Sequence, residues 1–251
     1  LTRKLIAAAL LFTTSLAAPA VAAGFSKEQT GDIETIVRDY LLRNPEVLLE
    51  AMDALEAKRN AATQAAQVSA ISEAGPALTS TPQGTVLGNP DGDVTVVEFF
   101  DYNCGYCKRA LGDMDALLKS DPKVRFVLKE IPVLGPQSVE ASKVSLALRT
   151  IAPQRYAEFH RTLLSAPGVA DADKAIGVAA DLGIDEAALR KAMDDPAVAA
   201  SIAEDSRLAT MLQISGTPSY VIADEVVPGA AGLDVLKDKI KNVRACASAS
   251  C

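Results

Sequence analysis

The chain has no tryptophan, and aromatic residues make up only 4% of it, so its core must be built from Ala, Val, Leu and Ile. A single histidine, His160, leaves little material for an imidazole metal site, and no acid or cysteine stands near it in sequence. It reads as a structural residue on an apolar helix face, with Phe159 and Leu163. The four methionines form no cluster, which argues against a dedicated copper carrier. No basic run occurs, and Lys and Arg (25) are outnumbered by Asp and Glu (32), so nucleic acid is not the expected partner. There is no internal repeat. Beyond the first two dozen residues nothing is long and apolar enough to span a membrane. The hydrophobic content, 49% of 251 residues, is ample for one or two domains.

Residues 1–23 read as a signal peptide. Arg3-Lys4 is a short basic region, Leu5 to Leu16 an apolar one, and Ala20-Val21-Ala22-Ala23 offers cleavage after Ala22 or Ala23. Export to a periplasm would place the cysteines in an oxidising compartment.

Residues 24–75 read as a helical arm. Ser26-Lys27-Glu28-Gln29 has the form of a capping box, and Ile33, Ile36, Val37, Tyr40 and Leu41 share a helix face. Asn44-Pro45 stops that helix and starts another, with Asn44 as N-cap. The second helix carries Val47, Leu48, Ala51, Met52 and Leu55, then turns Ala- and Gln-rich. The apolar stripe is too thin to fold alone; it must pack on the rest of the chain or on other copies, and a long seam suits self-association. Residues 76–84, with Thr79-Ser80-Thr81-Pro82, read as a linker.

From Thr85 the pattern is strand–helix–strand, a helical stretch over 138–212, then hairpin and helix. Val94 to Phe100 reads as a strand buried on both faces. At its junction with the next helix lies Cys104-Gly105-Tyr106-Cys107. There Cys104 sits at a helix N-terminus, where free N–H groups and the macrodipole favour a thiolate, and Cys107 is near enough to close a disulfide with it. Such a pair exchanges disulfides with other proteins and needs no other cofactor. Tyr106 places no cation between the cysteines, so the disulfide should be less oxidising than one with His there. A half zinc site completed by Cys246 and Cys251 is the competing reading, disfavoured by the long separation and the lone histidine. Glu98, inside the apolar run, is either a solvated strand residue or a buried acid able to relay protons to Cys107.

The order of elements, the CxxC helix, Gly216-Thr217-Pro218 before the hairpin and Val97-Glu98-Phe99-Phe100-Asp101-Tyr102-Asn103-Cys104 together resemble the DsbA-like thiol–disulfide oxidoreductases. The resemblance implies an α/β thioredoxin fold (85–137 and 213–243) interrupted by an inserted helical domain (138–212), after the N-terminal helical oligomerisation arm and before a tail (244–251). It implies Cys104 as attacking thiol, Cys107 as resolving thiol, Glu98 as relay, and a cis Pro218 that lets Thr217 pair with extended substrate. It also implies a tuning role for Lys129 beside Glu98. Tyr102 and Tyr106 would line the substrate surface.

Val37-Arg38-Asp39-Tyr40-Leu41-Leu42-Arg43-Asn44-Pro45-Glu46 further resembles the suppressor-of-copper-sensitivity C subgroup. That implies a homo-oligomeric disulfide isomerase, trimer ahead of dimer, linked to copper tolerance. Its substrates would be exported proteins with mispaired disulfides, and a membrane thiol reductase would be its electron donor. Gly105-Tyr106 is also the dipeptide of the isomerase DsbC, whereas DsbA has Pro-His. A monomeric dithiol oxidase, or a copper-binding protein using its cysteines, are the alternatives. Cys246 and Cys251 could form a short-loop disulfide, stay free or bind Cu(I).

Overall fold

A computed structural model describes residues 25–81 and 85–251. The signal-peptide reading lies outside them. The chain divides into two compact units, residues 1–57 and 58–251.

In the first unit, α1 spans Lys27–Arg43, and the helix α2, Glu46–Ala74, begins. The capping box forms: Gln29 N–H donates to Ser26 Oγ, and Ser26 N–H to Gln29 Oε1. Asn44 closes α1 rather than opening α2, because its Nδ2 donates to the Tyr40 carbonyl at 2.9 Å. No residue of α1 is buried, and Ile36, Leu42, Leu49 and Met52 are each about two-thirds exposed.

The second unit is built on a five-stranded sheet: β1 (Leu87–Gly88), β2 (Val94–Phe100), β3 (Val124–Glu130), β4 (Ser219–Ile222) and β5 (Glu225–Pro228). Their order is β1-β3-β2-β4-β5. β2 and β3 run parallel; the other pairs are antiparallel. Helix α4 (Gly105–Ser120) crosses from β2 to β3, as parallel strands require. Helices α5 (Pro136–Ile151), α6 (Tyr156–Ser165), α7 (Ala172–Asp181), α8 (Glu186–Met193) and α9 (Pro196–Met211) form the insert, and α10 (Leu233–Cys246) closes the unit. The architecture is a thioredoxin fold with a helical insertion.

The sheet separates two cores. Val96, Phe100, Phe126, Leu128, Tyr220 and Ile222 pack with both active-site cysteines, α4 and the insert. Val97, Phe99, Val127 and Val221 pack on the other side with Ala70, Ala74, Leu78, Leu208 and Leu212. That second core runs across the boundary expected after residue 75 and takes in the first residues of the linker expected over 76–84, of which 82–84 lie outside the described residues. Pro76–Thr79 is a short helix, α3, and its Leu78 is buried with the end of α2, because the apolar face of β2 and β3 needs a cover. Lys129 Nζ clasps this segment, donating to the carbonyls of Ala77 and Ser80 at 3.1 Å each, and sits 3.3 Å from Asp205 Oδ1 on α9. Asp205 Oδ2 also accepts the Glu130 N–H at 2.9 Å. Burial pushes the Asp205 carboxyl up, while Lys129 and this N–H pull the other way.

The tail is part of the fold. Cys246 and Cys251 are joined by a disulfide. Within the loop they close, Ala249 is fully buried and donates its N–H to Asp224 Oδ1 at 2.9 Å, at the β4–β5 turn.

An ion pair this buried is costly to halve. Asp205→Ala should lower unfolding stability by about 3–5 kcal/mol in a urea titration. The apolar replacement of both partners, Lys129→Met with Asp205→Leu, should recover part of that, the remainder being the Glu130 N–H and the Ala77 and Ser80 carbonyls that lose their partners. Equal losses in the single and double variants would show that the region does not rest on this pair.

Candidate active site

β2 delivers the chain to the site. Its register places Glu98 opposite Leu128 on β3 and Tyr220 on β4. Glu98 therefore shares the sheet face that carries the cysteines. Cys104 is the N-cap of α4, and its Sγ accepts the Cys107 N–H at 3.4 Å. As a thiol, Cys104 also donates to the Thr217 carbonyl oxygen at 3.1 Å. The Thr217-Pro218 peptide bond is cis. Both cysteines are free and buried, Cys107 completely.

Three acid groups at the site, Glu98, Cys107 and Tyr220, are strongly desolvated. Burial pushes the Glu98 carboxyl up to about 8, far above its ordinary 4.5. Burial also drives the Cys107 thiol well up; Cys104 and the Glu98 charge push the same way, while the Asp101 backbone opposes them. Tyr220 is raised by burial and then by Glu98 and Cys107. The Glu98 charge thus disfavours ionisation of both Cys107 and Tyr220, and the Cys107 charge that of Tyr220.

The segment before Cys104 is held by side chains. Asp101 accepts from the Asn103 N–H at 2.7 Å, Ser138 Oγ at 2.8 Å and the Leu134 N–H at 3.0 Å. Asn103 exchanges two bonds with Ala170, donating to its carbonyl at 2.8 Å and accepting its N–H at 2.7 Å. Lys108 ties α4 to the Ala166 carbonyl at 2.9 Å. Tyr106 is 60% exposed at the lip, with the Arg109 guanidinium 4.1 Å from its ring centroid.

Residues 95–241 match the DSBA-like thioredoxin domain. The chain belongs to that family. It is a family of thiol–disulfide oxidoreductases. Residues 29–62 match the copper resistance protein ScsC N-terminal domain. Disulfide bond formation protein D of Bacillus subtilis is 30% identical over 168 residues, which is 62% of this chain and 75% of that protein. A thioredoxin-like oxidoreductase from Silicibacter pomeroyi is 39% identical, with a TM-score of 0.62, over 66% of this chain and 99% of that one. A linker-deletion variant of Proteus mirabilis ScsC is 26% identical, with a TM-score of 0.66, over 89% of this chain and 99% of that one.

Of the DsbA-like site expected from sequence, the structure brings together Cys104, Cys107, Glu98, Thr217 and Pro218, with Tyr106 at the rim. Lys129 and Tyr102 are elsewhere. Lys129 pairs with Phe99, not Glu98, so its side chain leaves the opposite sheet face and binds α3 and Asp205. It does not tune Glu98. Tyr102 is fully buried. Its hydroxyl lies 2.8 Å from Ser145 Oγ, whose own proton goes to Glu130 Oε1 at 2.7 Å, and it has no substrate-facing surface. His160, beside Phe100 and Tyr102, is held neutral by burial, which pulls it down to about 3.

Sequence reasoning missed Glu130, which is fully buried under Ser145 and Tyr156 and raised by burial to about 7. It also missed Asp101 and Asn103. Glu130 had a signal of its own, an acid inside the apolar run Val124 to Ile131, the same feature that marked Glu98.

Below pH 4.5 Glu98 is protonated whether the chain is folded or not. Between there and about 8 only the folded chain keeps the proton, so stability falls by about 1.4 kcal/mol per pH unit from this group. Glu98→Gln should therefore gain stability relative to the native chain as pH rises through that window, measured by urea unfolding. Parallel pH profiles would mean that Glu98 is not held protonated. Glu130 adds a slope of the same sign to both proteins and cancels in the comparison.

Proposed function

We propose that the chain is an exported, oligomeric protein disulfide isomerase. The observation that carries the reading is the Cys104 thiol at the N-terminus of α4, 3.1 Å from the Thr217 carbonyl, with Cys107 buried behind it. The Cys104 thiolate attacks one sulfur of a mispaired substrate disulfide. A Cys104–substrate bond forms, the substrate S–S bond breaks, and the leaving thiolate takes up a proton. Before it is protonated, that substrate thiolate can instead attack another substrate disulfide, and the thiolate so freed attacks the mixed disulfide, closing a new substrate disulfide and releasing the Cys104 thiolate, which is isomerisation with no net redox change. Alternatively, Cys107 gives its proton to Glu98 in the minor carboxylate fraction that exists below about pH 8 and attacks Cys104; the Cys104–substrate bond breaks, the substrate leaves as a thiolate that takes up a proton, and the Cys104–Cys107 disulfide remains. A membrane thiol reductase would then restore the dithiol. Extended substrate would lie along the Thr217 backbone, with Tyr106 at the rim.

Tyr106 between the cysteines supports shuffling over strong oxidation. The match of residues 29–62 and the exposed apolar residues of α1 support self-association; a trimer ahead of a dimer rests on the resemblance of the arm alone. Export rests on the pattern of residues 1–23. Among the described residues no helix is long and apolar enough to cross a membrane. The Bacillus relative is named for disulfide bond formation, and a dithiol oxidase using the same cysteines is the second reading.

Refolding of scrambled, disulfide-mispaired ribonuclease tests the proposal. The comparison is a chain beginning at Lys58, because a cut near Thr85 would strip Ala70, Ala74 and Leu78 from the second core. The full chain should refold the ribonuclease and the shortened chain should lose most of that activity while still oxidising a reduced peptide. Oxidation without refolding by either would make the protein an oxidase. Glu98→Gln should slow release of a trapped substrate by Cys107 about a hundredfold, the lower range for general acid–base help, and leave the first attack unaltered. Equal slowing of both steps in rapid-mixing experiments would deny Glu98 the relay.

A further inference from the structure

The thioredoxin fold ends in a hairpin, β4–β5, whose first residues follow Thr217-Pro218. Beside this hairpin runs the later part of α2, the Ala- and Gln-rich stretch that the catalytic chemistry leaves without a role. The two enclose a groove of about 310 Å³, with Thr63 and Gln67 of α2 on one wall and Ser215, Thr217, Pro218 and Pro228 on the other.

Three features of the groove fix what it suits. It is continuous with the reaction centre, since Thr217 both lines it and holds the Cys104 thiol at 3.1 Å. No charged residue lines it. And Gln67 is fixed there: its Nε2 donates to the Leu212 carbonyl at 3.1 Å, which directs the remaining amide oxygen as an acceptor. Around it several backbone groups are already used. Ser219 Oγ donates to the Gly216 carbonyl at 2.8 Å, and the Gly229 N–H donates to the Pro218 carbonyl at 2.9 Å, so the loop is braced rather than collapsible. Pro228, at the end of the edge strand β5 where it borders the groove, has no N–H to offer a further strand, which disfavours strand addition there.

We propose that this groove is a peptide subsite: α2 takes an uncharged, extended segment of the substrate protein flanking the attacked cysteine, with Thr63 at the mouth and Gln67 accepting a backbone N–H. The subsite rests on the thiol–disulfide exchange described above and deepens it, because it makes the helix that follows the arm a determinant of which disulfides are attacked. Gln67 and Thr63 act on substrate position, not on the sulfur chemistry.

The test compares two disulfides in reaction with the reduced full-length protein. One is a peptide of uncharged residues around a single cysteine blocked as a mixed disulfide with 2-mercaptoethanol. The other is bis(2-hydroxyethyl) disulfide, which has no peptide to bind. Thr63→Arg closes the mouth with a long charged side chain at an exposed helix position, and Gln67→Ala removes the acceptor. In each variant the ratio of the peptide rate constant to the small-disulfide rate constant should fall roughly five- to tenfold, the effect of one or two ordinary hydrogen bonds, with the loss in KM rather than kcat. An unchanged ratio overturns the subsite, including the case where a poorly folded variant loses both rates together. A native protein that reacts with neither disulfide overturns the exchange reading itself; one that reacts with the small disulfide alone overturns only the subsite.

Discussion

The register of β2 between β3 and β4 is the constraint on which the rest depends. Glu98 stands opposite Leu128 and Tyr220, and Phe99 opposite Lys129 and Ser219. Because side chains alternate across a strand, a slip of one residue would carry Glu98 to the face of α2 and α9 and put Val97 or Phe99 beneath the cysteines. The two sheet faces are accordingly specialised. One buries an acid next to Cys107; the other buries a cation next to an acid. The same β2–β4 pairing brings Thr217 to Cys104 across 113 residues of sequence.

Both buried carboxylates of the first face work against the stability of the fold near neutral pH. Glu98 has no cation to offset its desolvation, and Glu130 has Arg149, Ser145 and Ser142 to offset only part of its own. A fold selected for stability alone would place apolar residues there. What distinguishes the two is their neighbours. Glu98 lies opposite Tyr220 in the sheet, and its charge acts on Cys107. Glu130 faces the hydroxyls of Ser145 and Tyr156, part of a hydrogen-bonded chain that reaches Tyr102.

Helix α2 changes character along its length for a similar reason. Its early turns carry large apolar residues that stay exposed, including Leu49 and Met52. Its late turns carry Ala70 and Ala74, small enough to lie against Val97, Phe99 and Val127. Between them, Thr63 and Gln67 keep a polar wall toward the hairpin. A single helix thus offers an unpartnered face at one end and a core-building face at the other. The tail is similarly tied in: its disulfide loop gains a hold on the fold because Ala249 fills the core and Asp224 binds both Ser248 and the Ala249 N–H.

The sequence by itself determined most of the elements and pointed to the cysteine pair. The apolar run before Cys104-Gly105-Tyr106-Cys107 and the capping residues are local patterns, set by side-chain period and by which groups a helix end leaves free. An acid in that run marked Glu98 for the same reason. Tertiary structure alone decided which face each residue took and what met it there. Lys129 and Tyr102 sat at suggestive positions, yet pairing with Phe99 turned Lys129 away from Glu98, and a pocket beside Ser145 and His160 swallowed Tyr102. The boundary expected after residue 75 failed likewise, since Leu78 has an apolar partner only once β2 and β3 lie side by side. Local propensity is written in neighbouring residues, whereas burial, register and charge pairing depend on residues far apart in the chain that only the packed sheet brings together.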